Sequence, residues 1–259
     1  MSQTDYHIHT TYSDGRNTPE EYIEEAIRKG FTRIGFSDHS CVPFDPYPGV
    51  AYDRFSEYKA AIDALKEKYA GKITVYCGME QDYLSPAPVG QPDYLIGSVH
   101  YIHDQGEYFS VDAGPQIVAD AIRRLYNRDP YAYAEAYYAQ MEDLINRTNA
   151  DIIGHFDVVT CYQDILHLFD FKHPRYVAAW QKAVDALIPF GRPFEINTRA
   201  ITKQIRNEPC PSLDILRYIA GHGGKFVLSS DSHGKEELGS HFKEYEEMFY
   251  DSLTDPIRN

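Results

Sequence analysis

The sequence predicts an α/β fold, a closed β/α barrel in which one parallel sheet is wrapped by helices. Three observations carry that expectation. Short apolar runs alternate with segments of helical spacing along the whole length, as a parallel sheet with crossover helices requires. No linker or break in composition divides the 259 residues, so a single domain is expected over 1–259, long enough to bury a large core. Polar residues capable of chemistry recur at the C-terminal tips of the apolar runs, where β/α barrels carry their sites. An open doubly wound sheet is the alternative, but the Gly-rich phosphate loop expected there after the first strand is absent.

Asp5 to His9 reads as a short first strand that runs into the turn Ser13-Asp14-Gly15. Pro19 to Gly30 has helical spacing, with Thr18 as N-cap, Pro19 at the first helical position and Gly30 as the stop. Phe31 to Ser37 returns as an apolar strand, followed by Asp38-His39-Ser40, a Pro-rich loop (Pro43, Pro46, Pro48) and a helix over about 55–69. Lys72 to Glu80 is the third strand and Tyr94 to Tyr101 the fourth. Residues from about 102 to 150 exceed a usual βα connection. They hold a Gly/Asp turn region and a Tyr- and Ala-rich helical stretch, and are expected to cover the active site and set substrate choice. The tyrosines Tyr131, Tyr133, Tyr137 and Tyr138 are expected to pack helices, not to stack on substrate. Asp151 to Asp157 is a fifth strand and its tip, and a helix over Pro174 to Pro189 leads to the sixth strand, Pro193 to Asn197. Ser212 opens a further helix as N-cap, Lys225 to Ser230 is the seventh strand, and an acidic, aromatic helix near 241–253 follows.

Lys plus Arg number 25 against 39 Asp plus Glu, a formal charge of −14. So acidic a chain is a poor binder of nucleic acid or of an anionic membrane. No apolar run approaches the roughly 18 residues needed to span a bilayer, and Met1-Ser2-Gln3-Thr4-Asp5 lacks the apolar core of a signal peptide. Cys41, Cys77, Cys161 and Cys210 are widely spaced and form no C-x-x-C pair, which reads as reduced thiols in a cytoplasmic protein. Oligomeric state is not readable from these features.

His7 and His9, one residue apart on an extended strand, direct their rings to the same side. With Asp14 just past the strand tip they look like part of a metal site, although an H-x-H pair alone is equally a surface accident. The other strand tips decide the matter. His39, Glu80, His100, His155, and Asp231 with His233 bring the set to nine potential ligands from six of seven strand ends. A single such residue has an ordinary explanation: a histidine satisfied by backbone, a surface glutamate, a capping aspartate. Nine at equivalent positions do not, because charged residues are rarely buried without partners. The remaining histidines, in loops or helices, read as ordinary.

Nitrogen and oxygen ligands without cysteine suit divalent ions, two or three of them, and leave Zn, Mn and Fe open. Closely spaced divalent ions serve phosphoryl chemistry, and phosphate monoester hydrolysis is among the slowest uncatalysed reactions. Arg199, just beyond the sixth strand, is the best phosphate clamp, since its planar fork matches two phosphate oxygens. Arg16 and Lys203 are weaker candidates for substrate binding.

The series His7-x-His9, Ser37-Asp38-His39, Gly78-x-Glu80-x-Asp82-Tyr83, Gly97-Ser98-Val99-His100-Tyr101, Gly154-His155-x-Asp157 and Ser230-Asp231-x-His233 resembles the PHP (polymerase and histidinol phosphatase) superfamily. It is most similar to the stand-alone histidinol-phosphate phosphatases. The resemblance implies a distorted (β/α)7 barrel with a trinuclear metal centre at its C-terminal face. It implies that His7, His9, Glu80 and Asp231 hold a first metal, that Glu80 bridges to a second held by His100 and His155, and that Asp14, His39 and His233 hold a third. Glu80, Asp231 and His233 would then act at the reacting phosphate together with Arg199. Some members carry histidine where this chain has Asp14. A basic residue expected a few positions after Gly-His-x-Asp is replaced here by Val158-Val159-Thr160-Cys161-Tyr162-Gln163.

The implied activity is metal-dependent phosphomonoester hydrolysis, with L-histidinol phosphate as substrate, in histidine biosynthesis. Its ammonium group calls for a carboxylate, for which Asp82, Asp112 and Asp157 are candidates. The missing basic residue keeps open another small phosphate ester, such as a nucleotide or sugar phosphate. A polymerase-type nuclease module conflicts with the charge of −14, and a non-catalytic metal-binding or regulatory protein would show a broken ligand set.

Overall fold

A computed structural model describes residues 4–87 and 91–257. Met1 to Gln3, part of the stretch read above for a signal peptide, lie outside the described residues.

Strand β1 (Thr4–Asp5) is followed by α1 (Pro19–Lys29), β2 (Arg33–Phe36), α2 (Phe55–Lys68), β3 (Thr74–Asp82) and β4 (Tyr94–Ser98). The alternation then breaks: β5 (Tyr101–Asp104) and β6 (Glu107–Ser110) pair as an antiparallel hairpin, and α3 (Pro115–Leu125), α4 (Pro130–Glu142) and α5 (Leu144–Thr148) follow. The alternation resumes with β7 (Ile152–Ile153), α6 (Gln163–Leu166), α7 (Pro174–Leu187), β8 (Phe194–Asn197), α8 (Arg199–Thr202), α9 (Leu213–Gly221), β9 (Phe226–Ser229) and α10 (Phe242–Met248).

Seven strands form one parallel sheet in the order β1-β2-β3-β4-β7-β8-β9. Its two edges meet: Ser232 N donates to His7 O at 3.2 Å and His9 N to Ser232 O at 2.9 Å. The sheet is thereby nearly closed into the distorted seven-stranded barrel that the sequence predicts. The distortion is local. The expected first strand, Asp5 to His9, keeps ladder pairing only at Thr4–Asp5, because beyond it the backbone divides between Ser232 on one side and Ser37 on the other. The expected fourth strand stops at Ser98, and Tyr101 turns into the hairpin.

Helix α1 follows its sequence signals. Thr18 and Glu21 form a reciprocal capping box, Pro19 opens the first turn, and Gly30 ends the helix at φ 83°. Ser212 stands at the N-terminus of α9 but makes no side-chain cap; its N–H instead donates to Asp157 Oδ2 at 3.0 Å.

Tyr6, Tyr94, Ile96, Ile152 and Val227 form a cluster between the strands, distinct from two larger layers under the helices. Gly78 is required beside this plug: a Cβ there would lie 2.3 Å from the Tyr94 ring. Tyr94 in turn donates to Tyr6 O at 2.5 Å. Residues from 102 to 150 mostly thicken the apolar layer, where Tyr133, Tyr137 and Tyr138 are fully buried as helix packing. No helix among the described residues is long and apolar enough to cross a membrane.

Candidate metal centre

The parallel register aims polar side chains at one end of the barrel. Asp38, just past β2, organises the first loop by accepting from Thr10 N at 2.7 Å, Thr10 Oγ1 at 2.8 Å and Ser13 Oγ at 2.6 Å. This folds Asp14 back towards the histidines. The turn needs Gly15, where a Cβ would meet the His9 carbonyl oxygen at 2.1 Å.

Glu80 lies at the centre. Its Oε1 is 2.8 Å from His155 Nε2, 3.2 Å from His100 Nε2 and 3.5 Å from His7 Nε2. Its Oε2 is 2.7 Å from His39 Nδ1 and 3.6 Å from His9 Nε2. Asp231 Oδ1 approaches His9 Nε2 at 3.3 Å and His7 Nε2 at 3.8 Å. Asp14 lies 2.9 Å from His233 Nε2, 3.6 Å from His39 Nε2 and 3.7 Å from His9 Nδ1. All nine residues proposed as ligands are thus brought together.

Within three groups the ligand atoms lie within 4.8 Å of one another: His9, Asp14, His39 and His233; His7, His9 and Glu80; His39, Glu80 and His100. His7 Nε2 and both nitrogens of His9 are buried without a hydrogen-bond partner. Unpaired buried polar atoms cost about 1–3 kcal/mol each, so a convergent set of them fits bound cations.

The surrounding side chains hold these ligands in orientation. His7 Nδ1 is 2.6 Å from Glu195 Oε1, so the ring donates there and turns Nε2 towards Glu80 and Asp231. Glu195 Oε2 also accepts from His155 N at 2.9 Å. His100 Nδ1 lies 3.3 Å from Asp82 Oδ2, Ser98 Oγ donates to Glu80 Oε1 at 2.7 Å, and Asn197 Nδ2 donates to Asp231 Oδ2 at 3.1 Å.

Burial disfavours a carboxylate charge at Glu80, but the imidazoles of His100, His7 and His39 outweigh it and hold the group well below the usual range. Asp231 is held low against burial by His7 and Arg199, and Asp14 by its hydrogen bond to His233. Burial and the neighbouring His233 and His39 press His9 well below the ordinary histidine value. All three carboxylates and the imidazole of His9 are therefore in ligand form at neutral pH.

A cavity of about 440 Å³ opens onto the centre, lined in part by Asp14, His39, His100, His155, Asp231 and His233. Arg199 and Lys203 line it too. The Arg199 Nη1 donates to Asp231 O at 2.9 Å and also meets His233 Nδ1, while Lys203 Nζ is 3.2 Å from Glu237 Oε1. Arg16 does not line the cavity. Its half-exposed guanidinium pairs with Glu236 and, at 3.0 Å, Glu237, neighbouring carboxylates that outcompete any reach into the site. Of residues 102–150, only Ser110, Asp112 and Ala113 reach the cavity wall. The Pro-rich loop supplies Val42, Asp45 and Tyr47 instead, and Tyr47 donates to Asp14 Oδ2 at 2.7 Å.

Two residues of this region escaped the sequence reading. Glu195 was passed over inside an apolar strand, although a glutamate in so short a run was a signal. Arg206 fills the buried space beside Asp157, with Nη1 3.2 Å from Oδ1 and Nη2 3.2 Å from Oδ2. Nothing local in the sequence announces that pair.

Known proteins agree with this architecture. The chain is 30% identical over 249 residues to a Deinococcus radiodurans protein named "probable histidinol-phosphatase", covering 92% of this chain and 89% of the relative. A solved chain from Listeria monocytogenes, described as a candidate histidinol phosphatase, superposes with TM-score 0.79 at 19% identity, covering 94% of this chain and 100% of that one. The Lactococcus lactis histidinol phosphate phosphatase, solved with zinc, L-histidinol and phosphate, gives TM-score 0.73 at 20% identity, covering 97% and 94%. The PHP domain family matches residues 5–199, three quarters of the sequence, and the chain belongs to that family.

Proposed function

We propose that this chain is a metal-dependent phosphomonoesterase that hydrolyses L-histidinol phosphate to L-histidinol and phosphate. The observation that carries the reading is the gathering of six histidines, Glu80, Asp14 and Asp231 around one point beneath a cavity with Arg199 on its wall. Support for the substrate comes from the relatives: the names they carry and the histidinol and phosphate bound by the Lactococcus enzyme.

The metal complement in this reading is two or three divalent ions, with zinc the first candidate because the Lactococcus structure contains it. His7, His9, Glu80 and Asp231 would hold one ion, Glu80 with His100 and His155 a second, and Asp14 with His39 and His233 a third. Such ions, when bound, acidify water and neutralise phosphoryl charge. The chain's own groups do the rest. Glu195 and Asp82 fix the ring orientations of His7 and His100, so that both present Nε2 to the centre. Arg199 offers its guanidinium to the phosphate oxygens from the cavity wall, with Lys203 adding charge farther along that wall. Val158, Ile205 and Ala200 give the same cavity an apolar side suited to the organic part of a small ester. The pathway served is histidine biosynthesis and the compartment the cytoplasm.

The test is phosphate release from L-histidinol phosphate against a panel of nucleotide and sugar phosphates. A kcat/KM far above the panel supports the reading. Comparable weak rates throughout leave a phosphatase and remove the substrate.

A further inference from the structure

A β-amino alcohol phosphate carries an ammonium two carbons from the ester oxygen, and its recognition calls for a carboxylate with a free oxygen beside the phosphate site. The cavity wall has three acidic side chains outside the proposed ligands: Asp45, Asp82 and Asp112. Their hydrogen bonds separate them. Asp45 accepts from Tyr47 N at 2.9 Å through Oδ1 and from Tyr101 OH at 2.7 Å through Oδ2. Asp82 accepts from Leu84 N at 2.7 Å through Oδ1, and its Oδ2 serves His100 N at 2.9 Å and the His100 ring. Asp157, the remaining carboxylate weighed from sequence, is absent from the cavity wall and holds Arg206 with both oxygens. Only Asp112 of the three keeps an oxygen without a donor among the described residues: Ser110 Oγ donates to its Oδ1 at 2.8 Å, its Oδ2 receives none, and no Lys, Arg or His there forms an ion pair with it.

Its position is set by backbone. Val111 N donates to His100 O at 2.9 Å, which places residue 112, just past β6, alongside a proposed metal ligand. Ser110 Oγ accepts from Asp112 N at 3.2 Å and Ala113 N at 3.0 Å, and Tyr162 OH donates to Asp112 O. The turn is therefore braced from both sides, so that little ordering is left to be done when a ligand arrives.

From this geometry we infer that Asp112 is the specificity residue that receives the substrate's ammonium group. The inference rests on the phosphatase reading above and adds to it the reason an amino alcohol phosphate is chosen over other small esters. A charge-assisted hydrogen bond of this kind supports discrimination of about 10- to 100-fold.

The experiment compares Asp112→Asn with the unmodified, zinc-loaded enzyme on two esters: L-histidinol phosphate and its analogue lacking the amine, 3-(imidazol-4-yl)propyl phosphate. The asparagine keeps an oxygen for Ser110, so the turn is preserved, and an unchanged melting temperature and metal content check that. Expected is a kcat/KM on L-histidinol phosphate lower by about 10- to 100-fold, chiefly through KM, with the rate on the amine-free analogue within about twofold of the unmodified enzyme. Equal losses on both esters, or no loss on either, overturn the assignment while leaving the phosphatase reading in place. An unmodified enzyme that hydrolyses the panel without preferring L-histidinol phosphate overturns the substrate reading, and Asp112's role with it.

Discussion

His7 Nδ1 and Glu195 Oε1 lie 2.6 Å apart with both side chains fully buried, joining the segment after β1 to β8. That one contact decides which nitrogen of His7 is left for the metal centre. It also uses Glu195 to tie the histidine of one strand to the backbone N–H of His155 beyond another. The two donors meet different oxygens, and a glutamine puts an NH2 in place of one of them. Glu195→Gln is expected to weaken zinc affinity by about 10- to 100-fold, measured by competition with a chelator. Unaltered affinity would show that the contact is structural only.

Glu80 contacts five histidines, and in the proposed centre it would serve two of the ions at once. Glu80→Ala is expected to lower metal stoichiometry and to reduce turnover by at least about 1,000-fold, the scale on which a central electrostatic group acts. Elemental analysis and phosphate release check this together. Near-normal turnover at full metal content would remove Glu80 from the centre.

Arg199 has its guanidinium at the cavity wall, whereas the ammonium of Lys203 is shared with Glu237. Arg199→Ala should cost about 10- to 100-fold in kcat/KM, mostly as raised KM. Lys203→Ala should cost a few-fold at most. Steady-state kinetics in which Lys203 matters more would exchange their roles.

The Arg206–Asp157 pair is almost wholly buried, at 1% and 0% side-chain exposure. Removing the arginine strands a carboxylate in the core, so Arg206→Ala is expected to destabilise the fold by about 3–5 kcal/mol. Denaturant unfolding checks this, and a loss under about 1 kcal/mol would contradict the pair's structural role.

Proton linkage gives a further expectation. Burial alone lowers His7 and His100, but Glu195, Asp231 and Glu80 around the first, and Glu80 and Asp82 around the second, lift both well above the ordinary histidine value. The rings then keep their protons to higher pH, while a cation takes only the deprotonated ring. Zinc binding should therefore release protons, and zinc affinity should fall as pH is lowered. Calorimetry in buffers of different ionisation enthalpy reads the proton count; zero release at neutral pH would contradict it.

The strand tips that carry the proposed ligands were legible because each places a histidine or carboxylate at the end of an apolar run, and period-two alternation says which side chains share a face. The α1 helix was legible because Thr18, Pro19 and Gly30 act within one helix. What escaped depends on contacts distant in sequence. Glu195 meets a histidine 188 positions away, and Arg206 an aspartate 49 positions away. The β5–β6 hairpin was hidden by Val99 to Ile102, which continues the apolar run of β4 and gives no local sign that the ladder ends at Ser98. Arg16 misled because its two partners, Glu236 and Glu237, lie at the other end of the chain.

The most direct test of the metal centre is phosphate release from L-histidinol phosphate as zinc is returned stepwise to chelator-stripped protein. The account predicts no turnover without metal and a rise that saturates only at two to three equivalents per chain. Full turnover after complete metal removal, or saturation with no turnover at any metal load, would contradict it.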